Sequence, residues 1–141
     1  VFSYAYKNGV KTILNPAPAN KPTDILLEHT TWFIPNEVEF EEIYGEVFNE
    51  DNLLLFANDL KTNVVVTLGE KGCAYIKNNS VKIMNTDSVK AIDTTGAGDA
   101  FVGAFSFGLA SKLEIEECLK LALQKATDSV TKKGTQSSYK N

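Results

Sequence analysis

The segment Asp93-Thr94-Thr95-Gly96-Ala97-Gly98-Asp99-Ala100-Phe101 says most about the fold of this chain. It places two glycines between two aspartates, directly before apolar residues that recur at helical spacing. The pattern predicts a helix over residues 97–111 that begins at the glycines. The first N–H groups of a helix lack partners within it, and the helix dipole is positive there. This helix start is therefore expected to bind an anion such as a phosphate.

Asp99 follows these glycines by one residue, so its side chain is expected to point at the bound anion. A carboxylate beside a phosphate is electrostatically unfavourable, and taking a proton from an attacking hydroxyl group would explain its presence. The simpler interpretation is a glycine turn with Asp99 as an ordinary carboxylate in the first turn of a helix. This segment alone leaves both interpretations open.

Two better-known phosphate-binding motifs do not match the chain. A dinucleotide-binding fingerprint requires a glycine at its sixth position, and counting from Gly96 that position is Phe101. A Walker A loop requires Gly-Lys followed by Ser or Thr, and Gly69-Glu70-Lys71-Gly72 is too short and lacks the hydroxyl group. Neither class of nucleotide-binding loop is predicted.

The composition is that of a soluble globular protein. The 141 residues suffice for one domain, with 43% hydrophobic and 23% charged residues. A net charge of −4 without a block of Lys and Arg argues against a nucleic-acid partner. No segment approaches the roughly 20 apolar residues of a membrane span, so no membrane partner is expected. Cys73 and Cys118 lack metal or disulfide spacing, which favours a cytoplasmic location.

Strand and helix patterns alternate along the chain and predict an α/β fold. Strands are predicted at residues 10–14, 30–34 and 64–68, helices at 36–44, 50–61, 97–111 and 115–131, and a hairpin of strands at 73–76 and 81–84. Strand, helix, strand order implies parallel pairing with right-handed crossovers, and the hairpin adds an antiparallel edge. Ligands of such sheets bind at the carboxyl ends of the strands, so the motifs that follow the strands are expected at one edge.

Five segments resemble the ribokinase family of carbohydrate kinases (PfkB type), in the order of that family. They are the strand-end segment Leu14-Asn15-Pro16-Ala17-Pro18-Ala19, the Asn-x-x-Glu motif Asn36-Glu37-Val38-Glu39, the nucleotide loop Thr67-Leu68-Gly69-Glu70-Lys71-Gly72, the signature at residues 93–101, and the closing segment Gly134-Thr135-Gln136-Ser137-Ser138. The resemblance implies a ribokinase-like three-layer α/β sandwich with a mainly parallel sheet and an antiparallel hairpin edge.

The resemblance spans essentially the whole chain and also implies its place in a longer protein. Residues 1–141 would form the C-terminal nucleotide-binding and catalytic part, without the N-terminal sugar-binding part and its lid. The missing initial Met and the helix-like residues 1–7 agree with this expectation. The intact protein is expected to be a homodimer, as family members often are.

The resemblance implies ATP-dependent phosphorylation of a small sugar, with ribose as the best candidate. Asp99 would act as general base and contact the sugar, and the N–H groups of Gly96, Ala97 and Gly98 would form an anion hole. ATP would be bound by Asn36, Thr67, Gly69, Gly72 and Thr94. Glu39 would act on Mg²⁺, mostly through water. A monovalent cation, K⁺, would be surrounded by Asp93, Thr95, Ser129, Lys132, Gly134 and Ser138.

Several of these residues have a simpler structural interpretation. Asn36 with Glu39 three residues later is the pattern of a capping box at a helix start. Gly69 and Gly72 suit any tight turn between a strand and a hairpin. His29 is the only histidine, so no Ser-His-Asp or Cys-His arrangement is predicted, and a surface position is favoured for it.

The sequence is also compatible with other functions. Within the family, the rival is another sugar or nucleoside kinase such as fructokinase or adenosine kinase, although the segments at residues 14–19 and 134–138 favour ribose. A different class is a noncatalytic nucleotide-binding fragment. The chain by itself is expected to bind adenine nucleotide weakly and to phosphorylate no sugar.

Overall fold

A computed structural model describes residues 1–86 and 96–131 of the chain. In chain order these residues form α1 (Phe2–Lys7), β1 (Ile13–Leu14), α2 (Asp24–Glu28), β2 (Trp32–Phe33), α3 (Glu37–Tyr44), α4 (Glu50–Leu60), β3 (Asn63–Thr67), β4 (Cys73–Lys77), β5 (Ser80–Met84), α5 (Ala97–Ala110) and α6 (Ile115–Val130). The α/β class is confirmed, and the helices and strands predicted from α3 onward begin and end within one residue of their predicted bounds.

The five strands form one sheet in the order β1-β2-β3-β4-β5. β1 pairs with β2 and β2 with β3 in parallel, whereas β3 and β4 are antiparallel. β4 and β5 are joined by Asn78 and Asn79, whose φ angles of 51° and 57° are those of a tight two-residue hairpin turn. The predicted parallel sheet with an antiparallel hairpin edge is therefore confirmed.

The chain divides into two compact units, and the first consists of Val1–Gly69 together with Cys73–Ile83. Its core contains Phe33, Phe40 and Phe56, with ring centroids 5.9 Å apart for Phe33 and Phe56 and 5.1 Å apart for Phe40 and Phe56. Tilted and edge-to-face rings at this spacing add to the hydrophobic gain of burial. Three consecutive β3 residues are no more than 2% exposed, so both faces of this strand are covered: Val64, Val65 and Val66.

The helix α4 shows how local sequence positions this core. It begins at Asn49, whose side-chain oxygen accepts a hydrogen bond from the N–H of Asn52 at 2.8 Å. Leu53 and Phe56 lie on its buried face. It ends at Lys61, which adopts the left-handed conformation with φ 53°. The side-chain cap and the apolar stripe explain why the predicted amphipathic helix forms here.

The first two strands are shorter than predicted, with two residues each instead of five. Thr12 and Thr31 precede them, and each hydroxyl oxygen accepts the backbone N–H of the other residue at 3.0 Å. The Thr12 hydroxyl also donates to the carbonyl of His29 at 2.6 Å. The Thr31 N–H is therefore shared between the hydroxyl and the carbonyl of Thr12, and the Thr12 N–H is bound by a side chain. Regular pairing starts only after these two residues.

The short helix α2 has no counterpart among the predicted elements. Thr23 caps it by accepting a hydrogen bond from the N–H of Leu26 at 3.3 Å. With five residues it is too short to show an apolar period. A cap at Thr23, directly after Pro22, is the signal that could have indicated it.

The second unit consists of Glu70–Gly72 and Met84–Asn141, and in its described part α5 packs on α6. Phe101 and Phe105 are buried along α5, with stacked rings whose centroids are 6.4 Å apart. The two helices approach closely at Gly108, where an added Cβ would lie 2.8 Å from Sγ and 3.2 Å from Cα of Cys118. None of the helices within residues 1–86 and 96–131 has both the length and the apolar character that crossing a bilayer requires.

The close approach of α5 and α6 can be tested with two glycines of one helix. Gly108→Ala is expected to lower the free energy of unfolding by about 1–3 kcal/mol, because its methyl group must displace Cys118. Gly103→Ala is expected to raise it by about 0.5–1 kcal/mol, since an added Cβ there meets nothing within 4 Å. Urea unfolding of the two variants beside the wild type measures both effects. Equal stabilities of the two variants would contradict the predicted contact.

Candidate functional site

The structure brings two predicted site residues of the first unit together at the carboxyl ends of parallel strands. Asn36 follows β2 and Thr67 ends β3, and the two residues form an isolated parallel bridge. The Thr67 N–H donates to the carbonyl of Pro35 at 3.0 Å. Asn15 follows β1 at the same edge, since β1 also pairs in parallel with β2. Sequence reasoning did not single out Pro35, whose carbonyl holds this edge together.

Asn36 and Glu39 form the capping box of α3. The Asn36 side-chain oxygen accepts the Glu39 N–H at 2.8 Å, and Glu39 Oε2 accepts the Asn36 N–H at 2.8 Å. The Glu39 side chain is buried, at 8% exposure, so this carboxylate is held in one orientation. The cap explains both residue types without a ligand, and a contact with Mg²⁺ would be an additional role.

Gly69 and Gly72 are glycines for different structural reasons. Gly69 has φ 59°, and an added Cβ would meet nothing within 4 Å. Gly72 has φ 102°, and its Cβ would fall 1.9 Å from the carbonyl oxygen of Met84. The close backbone approach of Met84 therefore explains Gly72, whereas only the left-handed conformation requires a glycine at position 69. The structure gives no support for Gly72 as a nucleotide contact.

The start of α5 lies in the second unit and is built from three backbone-exposing residues. Gly96 is the N-cap residue with φ 82°, and Ala97 and Gly98 open the helix. The N-cap residue Gly96 has no side chain of its own, whereas α2, α3 and α4 begin at a capping threonine or asparagine. Asp99 follows in the first turn with an exposed side chain. The arrangement offers N–H groups and a positive helix end to an anion.

Gly98 is not required by the packing of the chain. An added Cβ at this position would meet nothing within 4 Å. Gly98 lies inside α5 and its φ angle is not positive, so its backbone conformation does not require a glycine. The glycine at 98 therefore has no structural cause in the described residues, and a close approach by a ligand would supply one.

Ser129 is the predicted cation ligand that the structure describes. It is buried in α6, and its hydroxyl donates to the carbonyl of Ala126 at 2.7 Å. A hydroxyl oxygen that donates its proton keeps lone pairs for a cation. The other predicted cation residues and one predicted nucleotide contact lie outside the described residues: Asp93, Thr95, Lys132, Gly134 and Ser138, and Thr94.

The surroundings of Cys73 and His29 explain these side chains without a ligand. Burial raises the pKa of the Cys73 thiol to about 12, so it stays protonated at neutral pH. His29 Nδ1 lies 2.7 Å from the carbonyl of Ile25, and its ring contacts Tyr6 edge-on at 5.1 Å. Residues 1–86 and 96–131 hold no group of three or more His, Cys, Asp or Glu that could bind a metal.

A cavity of about 380 Å³ lies in the first unit, between the end of α4 and the amino ends of β2 and β3. Trp32, Lys61 and Asn63 are among the residues that line it. None of the predicted site residues does. The cavity therefore lies at the end of the sheet opposite to Asn36 and Thr67.

Two asparagine caps with the same hydrogen-bond length can be compared to separate the capping role of Asn36 from any other role. Asn36→Ala and Asn49→Ala are each expected to cost about 1 kcal/mol of stability, because each removes one side-chain acceptor at 2.8 Å from a helix N–H. Thermal unfolding measures the cost, and titration with ATP and Mg²⁺ measures binding. Nucleotide binding is expected to weaken in Asn36→Ala alone. Equal binding by both variants would leave Asn36 as a cap and nothing more.

The whole chain matches a family model. Residues 1–141 match the model described as pfkB family carbohydrate kinase. A deoxyribokinase of Salmonella typhi is 37% identical over 142 residues, covering 96% of this chain and 46% of the relative. A ribokinase of Haemophilus influenzae is 40% identical over 139 residues, covering 95% of this chain and 45% of the relative. The chain thus spans a little under half the length of these curated relatives.

Solved structures with a similar fold include ribokinases, as the relatives in sequence do. The structure of an Arabidopsis thaliana ribokinase complexed with ribose and ATP superimposes with a TM-score of 0.87 at 28% identity. The match covers 98% of this chain and 47% of the Arabidopsis chain. Sequence and structure therefore place the chain in one family, over a little under half of the relatives' length.

Proposed function

The chain belongs to the pfkB family of carbohydrate kinases, and we propose that it supplies the nucleotide-binding and catalytic part of an ATP-dependent sugar kinase. The start of α5 carries the proposal, with the backbone-exposing run of Gly96, Ala97 and Gly98 followed by the exposed Asp99. Ribokinase and deoxyribokinase relatives support a pentose as substrate, and we propose ribose, phosphorylated to ribose 5-phosphate. The Arabidopsis neighbour, complexed with ribose and ATP, supports the same pair of ligands.

The N–H groups at the start of α5 are proposed to stabilise the transferring phosphoryl group. In phosphoryl transfer, negative charge is spread over the oxygens of that group, and catalysis consists mostly of positioning and electrostatic stabilisation. Backbone N–H groups of a helix start are fixed in direction before the reaction and need no reorganisation. The open space at Gly98 supports this role, since a phosphate could approach the backbone there.

Asp99 is proposed to be the general base. Its carboxylate would take the proton of the sugar hydroxyl while the hydroxyl oxygen forms a bond to the γ-phosphorus. The bond between the γ-phosphorus and the bridging oxygen then breaks, and ADP leaves with the electron pair. The exposed position of Asp99 one residue after Gly98 supports access of both substrate and phosphate to this carboxylate.

The nucleotide is proposed to bind through Asn36, Thr67, Gly69, Gly72 and Thr94. The bridge between Asn36 and Thr67 at the carboxyl edge of the sheet supports the first two assignments. Gly69 is supported by the open space around it, whereas Gly72 rests on the family resemblance.

Two cations are proposed to accompany the nucleotide. Glu39, a hard oxygen ligand held by the α3 cap, is proposed to act on Mg²⁺ through water, where the ion would neutralise charge on the phosphates. K⁺ is proposed to be held by Ser129 with Asp93, Thr95, Lys132, Gly134 and Ser138. The donors fit such an ion, since they are hydroxyl, carboxylate and carbonyl oxygens. The intact kinase is proposed to be a cytoplasmic homodimer.

Asp99→Asn tests the catalytic assignment. In a protein that joins this chain to the unmatched part of the Haemophilus influenzae relative, the variant is expected to lower kcat by roughly a hundredfold or more. ATP affinity should stay nearly unchanged, because the N–H groups remain. Phosphate transfer from labelled ATP to ribose, 2-deoxyribose, fructose and adenosine measures the rate and the substrate preference.

Two outcomes of this assay would contradict the proposal. A kcat close to that of the unmodified protein in Asp99→Asn would remove Asp99 as the base. A preference for fructose or adenosine would contradict the assignment of ribose as the substrate, whereas the assignment as a kinase would stand. Repeating the assay without K⁺ and Na⁺ tests the cation assignment, because activity should rise on addition of K⁺.

Gly98→Ala tests the anion site in the 141-residue chain itself. The chain is expected to bind ATP weakly and to phosphorylate no sugar, and Gly98→Ala should weaken ATP binding by about tenfold, or roughly 1.4 kcal/mol, because its methyl group blocks the phosphate. Gly103→Ala, in the same helix and also with open space, is the matched control and should bind like the wild type. Calorimetric titration measures both. Undiminished binding by Gly98→Ala would argue against phosphate at this helix start.

A further inference from the structure

The cavity at the amino ends of β2 and β3 has the size of a small-molecule site. Its volume of about 380 Å³ lies in the range of roughly 300–1,000 Å³ in which proteins bind small ligands. All of its described lining residues belong to the first unit. Because it lies at the opposite end of the sheet from Asn36 and Thr67, the proposed nucleotide site does not account for it.

Four core elements form the apolar part of this cavity. They contribute one residue each: Trp32 from β2, Ala57 from α4, Val64 from β3 and Ile76 from β4. Trp32, Ala57 and Val64 are no more than 9% exposed, so close packing holds them in place. A ligand would therefore meet a preformed apolar wall, with Trp32, the one tryptophan of the chain, as its largest residue.

The polar lining residues lie at the end of α4 and the start of β3: Asn58, Lys61, Thr62 and Asn63. The Thr62 hydroxyl donates to the carbonyl of Thr30, and Asn63 Nδ2 donates to the carbonyl of Thr31 at 2.9 Å. These bonds attach the connection between α4 and β3 to the residues before β2. They leave the side-chain oxygen of Asn63 and the side chains of Asn58 and Lys61 available to a ligand.

Lys61 occupies a position at which glycine is the usual residue. It ends α4 with φ 53°, and its N–H donates to the carbonyl of Ala57 at 3.0 Å. A side chain is unfavourable in this left-handed conformation, and the attraction of a lysine to the helix dipole is smaller than that cost. No carboxylate among the described residues forms an ion pair with its ammonium group. A negatively charged ligand would explain why a lysine stands here.

The charge of the lining indicates the class of ligand. Lys61 is the one charged residue among the described residues that line the cavity. A single ammonium group can neutralise one carboxylate, whereas a phosphate monoester carries about −1.5 to −2 charges at neutral pH. The amide groups of Asn58 and Asn63 can form hydrogen bonds with the same carboxylate. The apolar wall requires a hydrophobic body on the other side of the ligand.

We propose that this cavity binds a small organic monocarboxylate with an aromatic or branched apolar body. The body lies against Trp32 and Ile76, and the carboxylate lies beside Lys61. The proposal adds a second ligand site to the protein and does not rest on the proposed kinase activity.

Phenylacetate is the probe for this site, and phenylacetamide is its neutral counterpart of the same shape. Calorimetric titration of the 141-residue chain without ATP, Mg²⁺ or sugar is expected to give a Kd of about 1 mM or lower for phenylacetate. The amide should bind at least about tenfold more weakly, because it has no charge to pair with Lys61. Trp32 is the one tryptophan of the chain, so its fluorescence should change with the same Kd.

A lysine-to-glycine change tests the role of Lys61 without disturbing the fold. Because glycine suits the left-handed conformation, Lys61→Gly should be at least as stable as the wild type in thermal unfolding. It should bind phenylacetate at least about tenfold more weakly and no longer distinguish it from the amide. Lys112→Gly is the matched control, since Lys112 also has a positive φ, 60°, and lies in the second unit. It should bind phenylacetate within about twofold of the wild type.

Four results would overturn the inference. Absence of phenylacetate binding in the millimolar range would remove the site, and equal binding of the amide would remove the charge recognition. Equal affinities of the Lys61→Gly and Lys112→Gly variants would exclude Lys61 as a specific contact. Binding in calorimetry without a change in Trp32 fluorescence would place the ligand outside this cavity.

Discussion

The burial of β3 on both faces and both edges is the constraint on which the sheet depends. Val64, Val65 and Val66 are almost completely buried, and buried backbone N–H and C=O groups must be hydrogen-bonded. β3 therefore pairs with β2 on one side and β4 on the other. The parallel neighbour requires the long connection through α3 and α4, whereas the antiparallel neighbour is reached through the short turn that starts at Gly69. Both connections leave from the carboxyl ends of strands, and so Asn36 lies on the first connection and Gly69 and Gly72 lie on the second.

Much of this architecture could be predicted because it depends on local patterns. The β-branched run of β3, the amphipathic α4 and the hairpin around Asn78 are encoded within short windows of sequence. The lengths of β1 and β2 could not be predicted, since Thr12 and Thr31 pair with each other across 19 positions of the chain. The close approach at Gly108 depends in the same way on Cys118, which lies on another helix.

The glycines of the candidate site show where sequence information ends. Gly72 and Gly98 look alike in the sequence, each in a short glycine-containing turn. The structure separates them, because a backbone carbonyl of Met84 excludes any side chain at position 72, whereas position 98 has open space. Asn36 remains ambiguous for a different reason, since a side chain that caps a helix at a strand end is already in place for a ligand. The motif order could indicate the family, but only the packing separates glycines that serve the fold from those that a ligand could need.

The two cysteines have a consequence for the chemistry that this protein can undergo in a cell. Both thiols are completely buried, and burial raises the pKa of Cys73 to about 12. Peroxides, electrophiles and glutathione disulfide react with accessible thiolates. Because neither sulfur of this chain presents one, its folded form should be insensitive to swings in the thiol redox state of the cell.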